Sequence, residues 1–130
     1  MFGMTRKQFL KKSSQLLKDI SLDLLTFMEL MEKENNSTIT TNNSQKKLEI
    51  IRRHVEEVFL KYEKIKPPSN YRPLYLRILK LVTSLQETVV VNQNYLESAL
   101  PADLKESKRL LEEFRQEFRL VKSEIEKDLK

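Results

Sequence analysis

The chain has 130 residues, 39% of them hydrophobic, with one glycine, four prolines and no cysteine. That length can bury a core without staples, and the missing thiols exclude disulfides, thiol nucleophiles and cysteine metal sites. A net charge of +5, from 24 basic and 19 acidic residues, permits an anionic partner, although lysines and arginines also serve simply to solvate helix faces.

No apolar run approaches the ~20 residues of a membrane span. The basic residues Arg6, Lys7, Lys11 and Lys12 are followed by Ser13, Ser14, Gln15, Lys18 and Asp19 rather than by an apolar signal stretch. A cytoplasmic location is therefore expected.

The first helix is predicted over about 5–33. Leu10, Leu17, Leu24 and Met31 recur at intervals of seven, with Ser13, Ile20 and Phe27 between them. This is one apolar stripe with a single polar break. Phe9, Leu16, Met28 and Leu30 widen it, and Thr5 fits an N-cap. Residues 34–43 are rich in Asn, Ser and Thr. Such side chains compete with the backbone for hydrogen bonds, so a flexible linker is expected. Its Asn-x-Ser/Thr triplets at Asn35, Asn36 and Asn42 read as compositional.

A second helix is predicted over about 44–65, with Ser44 as its N-cap and a seam of Leu48, Ile51, Val55, Val58, Tyr62 and Ile65. Pro67 and Pro68 end it, because proline pushes its predecessor out of the helical region. The third helix, about 70–99, tolerates Pro73 in its first turn. Its seam is Leu74, Ile78, Leu81, Leu85, Thr88, Asn92, Tyr95 and Ala99. The Val89-Val90-Val91 run favours a strand locally, but the longer helical period outweighs it. The fourth helix, about 102–129, has Pro101 at its entry and a seam of Leu104, Ser107, Leu111, Phe114, Phe118, Val121 and Ile125. Short turns between successive helices make them antiparallel neighbours. The expected fold is all-α: a single-domain, antiparallel up-down-up-down four-helix bundle.

Catalytic and metal-binding groups are sparse. The one histidine, His54, lies off its seam among charged residues and reads as a solvated surface side chain. A di-iron bundle needs Glu-x-x-His on paired helices, whereas Ile51 stands three residues before His54. The only glycine is Gly3, so there is no glycine-rich phosphate loop. The glutamates of helix 4 are interleaved with Arg115, Arg119, Lys122 and Lys127, the pattern of a salt-bridged outer face. No enzyme activity, cofactor or metal is expected.

Three surfaces are candidates for binding. Helix 3 is poor in charge, and Leu76, Leu79, Thr83, Gln86, Val90 and Gln93 are predicted to point outward as a contact face for a protein partner or a second copy. Leu22 and Leu25 form a smaller outward pair on helix 1. Thr88, Asn92, Tyr95 and Ser107 fall in the seams near one end. They suit either buried hydrogen bonds that specify register or a small polar pocket. For nucleic acid, the candidates are Arg6, Lys7, Lys11 and Lys12 on helix 1, Lys46, Lys47, Arg52 and Arg53 on helix 2, and Arg72, Arg77 and Lys80 on helix 3. They are expected to split between opposite ends of the bundle, without a helix-turn-helix pattern or an aromatic stacking platform. The N-terminal basic segment, with Met1, Phe2, Met4, Phe9 and Leu10 beside it, also has the composition of a membrane-surface anchor, but its apolar residues suit the core.

Residues 59–81, FLKYEKIKPPSNYRPLYLRILKL, resemble the helix–proline–helix turn of small uncharacterised helical proteins and lipoproteins of Gram-positive bacteria. The resemblance implies a helical domain of bacterial origin with no known catalytic residues. The lipidated cysteine of the lipoprotein members is missing, so their surface location does not carry over.

Overall fold

The computed structural model describes residues 3–35 and 41–130. It contains four α-helices, α1 (Arg6–Asn35), α2 (Thr41–Glu63), α3 (Arg72–Ser98) and α4 (Pro101–Leu129), with a short 3-10 turn at Ser69–Tyr71 before α3. No strand occurs among the described residues, so the Val89–Val91 run is helical as its flanks predict.

The helix ends follow from local chemistry. Thr5 and Gln8 form a reciprocal capping box at the start of α1. The Thr5 amide donates to Gln8 Oε1 at 2.9 Å, and the Gln8 amide donates to Thr5 Oγ1 at 3.1 Å. At the end of α2 the carbonyl of Glu63 accepts the Tyr75 hydroxyl at 2.6 Å, which satisfies a group that helix termination leaves without an intrahelical partner. Ala99 closes α3 in the left-handed region (φ 57°), its amide bonded to the Tyr95 carbonyl at 2.7 Å. Pro101 then occupies the first turn of α4, where a missing N–H costs nothing.

Several expected boundaries shift. The linker predicted at 34–43 lies partly outside the described residues, and helix occupies its flanks: α1 runs to Asn35 and α2 begins at Thr41. Ser44 is therefore not an N-cap. It sits inside α2, buried one turn before Leu48 as an extension of the seam. Helix α2 stops at Glu63, two residues earlier than predicted. Helix α3 starts at Arg72 because 69–71 form the tighter 3-10 turn. Ala99 is exposed, and it belongs to the corner rather than to the seam.

All four helices feed one apolar cluster, centred on the fully buried Phe9, Phe27 and Phe114 with Ile20, Val55, Ile78, Leu85 and Ile125. Burying a phenylalanine contributes roughly 1.5–3 kcal/mol. The predicted seams supply most of this cluster. Val58, Ile65, Tyr95, Leu104, Leu111 and Phe118 are only half-buried, so the seams thin toward their edges. Helix α1 packs on α2 and α4, and α3 packs on the same two helices, while α1 and α3 barely meet.

Named side chains tie each neighbouring pair. Ser13 of α1 and Tyr62 of α2 share a buried hydrogen bond of 2.6 Å. Arg77 of α3 forms ion pairs with Glu117 and Glu124 of α4 at 2.9 and 2.6 Å. Arg6 Nε donates to the Tyr71 hydroxyl at 2.9 Å, Tyr71 donates to Asp128 Oδ2 at 3.2 Å, and the Arg6 guanidinium also reaches the Asp128 carbonyl. Beneath these groups lie aromatic contacts of Phe9 with Tyr71 (ring centroids 5.5 Å apart) and of Tyr62 with Tyr75 (5.6 Å). Burial raises the Tyr62 phenol well above its usual pKa, so it remains a neutral partner for Ser13.

The Ser13–Tyr62 bond yields a stability prediction. Tyr62→Phe leaves a buried hydroxyl on Ser13 and should cost about 1–2 kcal/mol in urea unfolding. Ser13→Ala combined with Tyr62→Phe should cost less than the two single losses added together, because neither polar group is then stranded.

Candidate partner-binding surface

The outward stripe predicted on α3 divides in two. Leu76, Thr83 and Val90 are exposed, with Leu76 at 49% and Val90 at 38%. Leu79, Gln86 and Gln93 are half-buried instead, because they turn toward α2. Leu79 packs on the core, and Gln93 engages α2 through its backbone and its side chain. Gln45 Nε2 donates to the Gln93 carbonyl at 3.2 Å, and Gln93 Nε2 donates to Glu49 Oε1 at 3.4 Å.

Between these rows α2 and α3 frame a cleft of about 200 Å³. Its floor is Val55, Phe59 and Val82, and its rim is Arg52, Glu56, Thr83 and Gln86. The Gln86 Oε1 atom is buried without a hydrogen-bond partner among the described residues. One end of the cleft is rigidly charged. Arg52 grips Glu49 with both Nε (2.6 Å) and Nη2 (2.8 Å), and it reaches Glu56 at 3.4 Å. Arg53 adds a contact to Glu49 at 3.3 Å. These bonds, the Arg52 bond foremost, lower the Glu49 pKa to about 2. The same pairing raises that of Arg52. The bidentate grip fixes the guanidinium plane. The cleft thus presents an apolar floor and a fixed ion pair, with the Gln86 amide oxygen buried at its wall.

The four seam residues proposed as a polar pocket converge in part. Thr88, Asn92 and Ser107 are fully buried and Tyr95 is half-buried. Asn92 Nδ2 lies 3.0 Å and Ser107 Oγ 3.6 Å from the sulfur of Met31 in α1. Thr88 Oγ1 bonds back to the Ser84 carbonyl at 2.8 Å. A flexible, polarizable thioether therefore occupies the space between Asn92 and Ser107. This arrangement resembles a register device more than a ligand cavity.

The basic residues proposed for nucleic acid divide into paired and exposed groups. Arg52, Arg53 and Arg77 are engaged in ion pairs, and Arg6 is bound to Tyr71 and Asp128. Lys46, Lys47, Arg72 and Lys80 are exposed on α2 and α3, and Lys7, Lys11 and Lys12 are exposed on α1. On α4, Arg109 pairs with Glu106 and Glu113, Arg115 with Glu112, and Lys122 with Glu126, the salt-bridged face its sequence predicts. Leu22 at 70% and Leu25 at 56% are exposed on α1 as expected.

His54, predicted as a solvated surface residue, keeps 44% of its side chain exposed but also pairs across helices. Its Nδ1 lies 2.5 Å from Oδ2 of Asp23 on α1, and the Asp23 side chain is only 14% exposed. Burial raises the Asp23 pKa despite the opposing histidine bond, and the nearby Asp19 adds to the rise. Sequence reasoning missed this pair because its members stand 31 residues apart and neither falls on a seam. Among the described residues no group of three or more His, Cys, Asp or Glu is placed to hold a metal ion, and no helix is long and apolar enough to cross a membrane.

No family model, curated protein or solved structure matches this chain.

Glu49 and Asp23 should leave opposite marks on stability. The folded-state pKa of Glu49 lies below its ordinary 4.5, near 2, so its contribution is present above about pH 4.5 and lost as the pH falls toward 2. The folded-state pKa of Asp23 lies above its ordinary 3.8, so its contribution is present below that value and lost as the pH rises through the folded pKa. In urea titrations across acidic pH, Glu49→Gln should remove part of the acid-side loss. Asp23→Asn should remove part of the loss that accompanies rising pH.

Proposed function

We propose that this is a non-enzymatic, cytoplasmic helical protein that works through protein–protein contact, with the outer side of α3 and the α2/α3 cleft as its contact surface. We further read the four helices as an antiparallel up-down-up-down bundle forming one domain. The descending pairings support that order: Ser13 with Tyr62 but Asp23 with His54, and Arg6 with Asp128 but Met31 with Ser107.

The observation that carries the functional reading is the cleft between α2 and α3, bordered by exposed Leu76 and Val90. An apolar floor edged by a fixed ion pair has the make-up of an interface centre. An apolar anchor from a partner helix or a second copy would lose water there, while the rim sets its orientation. Nucleic acid is the less favoured reading, since Arg52, Arg53 and Arg77, three of the arginines that could track a phosphate backbone, already hold carboxylates.

Size-exclusion chromatography with light scattering, on protein from its native host, tests this proposal. The protein should elute as a dimer or with a second protein. Leu76→Lys and Val90→Lys should return it to the free monomer while leaving the helical circular dichroism intact. A monomer that carries nucleic acid and loses it at high salt would overturn the contact reading.

A further inference from the structure

A second surface forms where the start of α1 meets the end of α2. The segment 3–18 contains Arg6, Lys7, Lys11, Lys12 and Lys18 and no acidic residue, and the segment 60–66 contains Lys61, Lys64 and Lys66 against Glu63 alone. The fold brings the two segments together. Ser13 bonds Tyr62 at 2.6 Å, a Cβ placed on Gly3 would lie 3.6 Å from the Lys66 carbonyl, and Lys12 and Lys61 line the same cleft. Both lysines are exposed, and neither has a carboxylate partner among the described residues. Unpaired like charges facing one another oppose folding, and an anion placed between them would relieve that repulsion.

The cleft is not a bare patch of charge. It encloses about 130 Å³, with Leu16, Val58, Tyr62 and Ile65 at its base. Its far end is acidic: Asp19 lines it, held by Gln15 Nε2 at 2.9 Å. The site therefore offers a basic end, an apolar floor and an acidic end. Nucleic acid matches this poorly, because Tyr62, the aromatic ring at the floor, is only 4% exposed and cannot serve as a stacking platform. A peptide carrying an apolar side chain beside a carboxylate matches the floor and the basic end, with its carboxylate held away from Asp19.

We propose that the α1/α2 cleft docks an acidic, amphipathic peptide segment of a partner protein, its apolar anchor on Leu16, Val58 and Ile65 and its carboxylates between Lys12 and Lys61. The remaining lysines, Lys7, Lys11, Lys64 and Lys66, add a field that speeds encounter and makes it salt-sensitive. This surface is separate from the α2/α3 cleft and from the contact proposed there.

Fluorescence anisotropy with a labelled synthetic helical peptide of leucine and glutamate tests the assignment. The peptide should bind the wild-type chain, and more weakly as salt rises. Lys12→Glu with Lys61→Glu should weaken binding by about tenfold or more. The gentler Lys12→Gln with Lys61→Gln should weaken it less, with circular dichroism unchanged in both. Replacing the peptide's glutamates by glutamine, or its leucines by serine, should each abolish most of the binding. The Lys105→Glu/Lys108→Glu control and the Leu76→Lys variant should leave it intact, which separates this site from the α3 contact. Equal affinity for wild type and Lys12→Glu/Lys61→Glu would overturn the proposal. So would a single-stranded DNA oligomer or phosphatidylserine vesicles binding through Lys12 and Lys61 where the peptide does not, and the surface would then belong to that polyanion.

Discussion

Each helix in this protein carries an apolar strip that water would otherwise wet, and each strip needs two neighbours to cover it. That constraint governs the rest of the structure. Most helical stability in a protein comes from packing an amphipathic face rather than from propensity, and the charged residues that fill the outer faces add only tenths of a kilocalorie per pair. The cover comes from Phe9, Phe27 and Phe114 and the aliphatic residues around them. Because α1 and α3 barely touch, each of them must be flanked by both α2 and α4. The grooves along these flanks are where the clefts open.

Polar groups fit into this scheme by pairing wherever burial would otherwise strand them. Ser13 with Tyr62, Asn92 and Ser107 around Met31, and Thr88 with its own helix are all inside. An apolar residue in any of these places would serve burial alone as well. At Ser13, Asn92 and Ser107 the polar choice penalises slipped registers, since a shift of one helix would leave the partner unsatisfied, whereas Thr88 is satisfied within α3 in any register. Asp23 and His54 play the same part nearer the surface, at the cost of a carboxylate held partly out of water.

Much of the fold was legible in the sequence because helix periodicity survives without knowledge of the neighbours. The seven-residue spacing of Leu10, Leu17, Leu24 and Met31 identifies a buried face whatever covers it, and the prolines at 67, 68 and 101 mark breaks through local sterics alone. What was hidden depends on which strangers in the sequence become neighbours. The half-burial of Gln86 and Gln93 reflects how α3 rotates against α2. The partnership of Asp23 with His54, and the meeting of Lys12 with Lys61, depend on the register between α1 and α2. The start of α2 was misplaced for another reason. Threonine and asparagine are only weak opponents of helix, and the buried Ser44 draws the preceding turn into register with the core.

Among the described residues, the corner at Ala99 is the place where a non-glycine residue takes a positive φ. An alanine in the left-handed region costs about 1–2 kcal/mol relative to ordinary helix, and a glycine would sit there with little penalty. The Ala99 amide bonds the Tyr95 carbonyl, the Leu100 amide donates to Ser98 Oγ at 3.1 Å, and Ser98 Oγ donates to Asp103 Oδ2 at 2.5 Å, beside Leu100, which leaves 56% of its surface in water. Strain with so little burial to offset it favours local opening. The amides around Ala99 should exchange with deuterated solvent by fluctuations that leave the phenylalanine core closed. Opening of the α3–α4 corner would then be confined to its few residues, since the two helices it joins stay tied by Arg77 with Glu117 and Glu124.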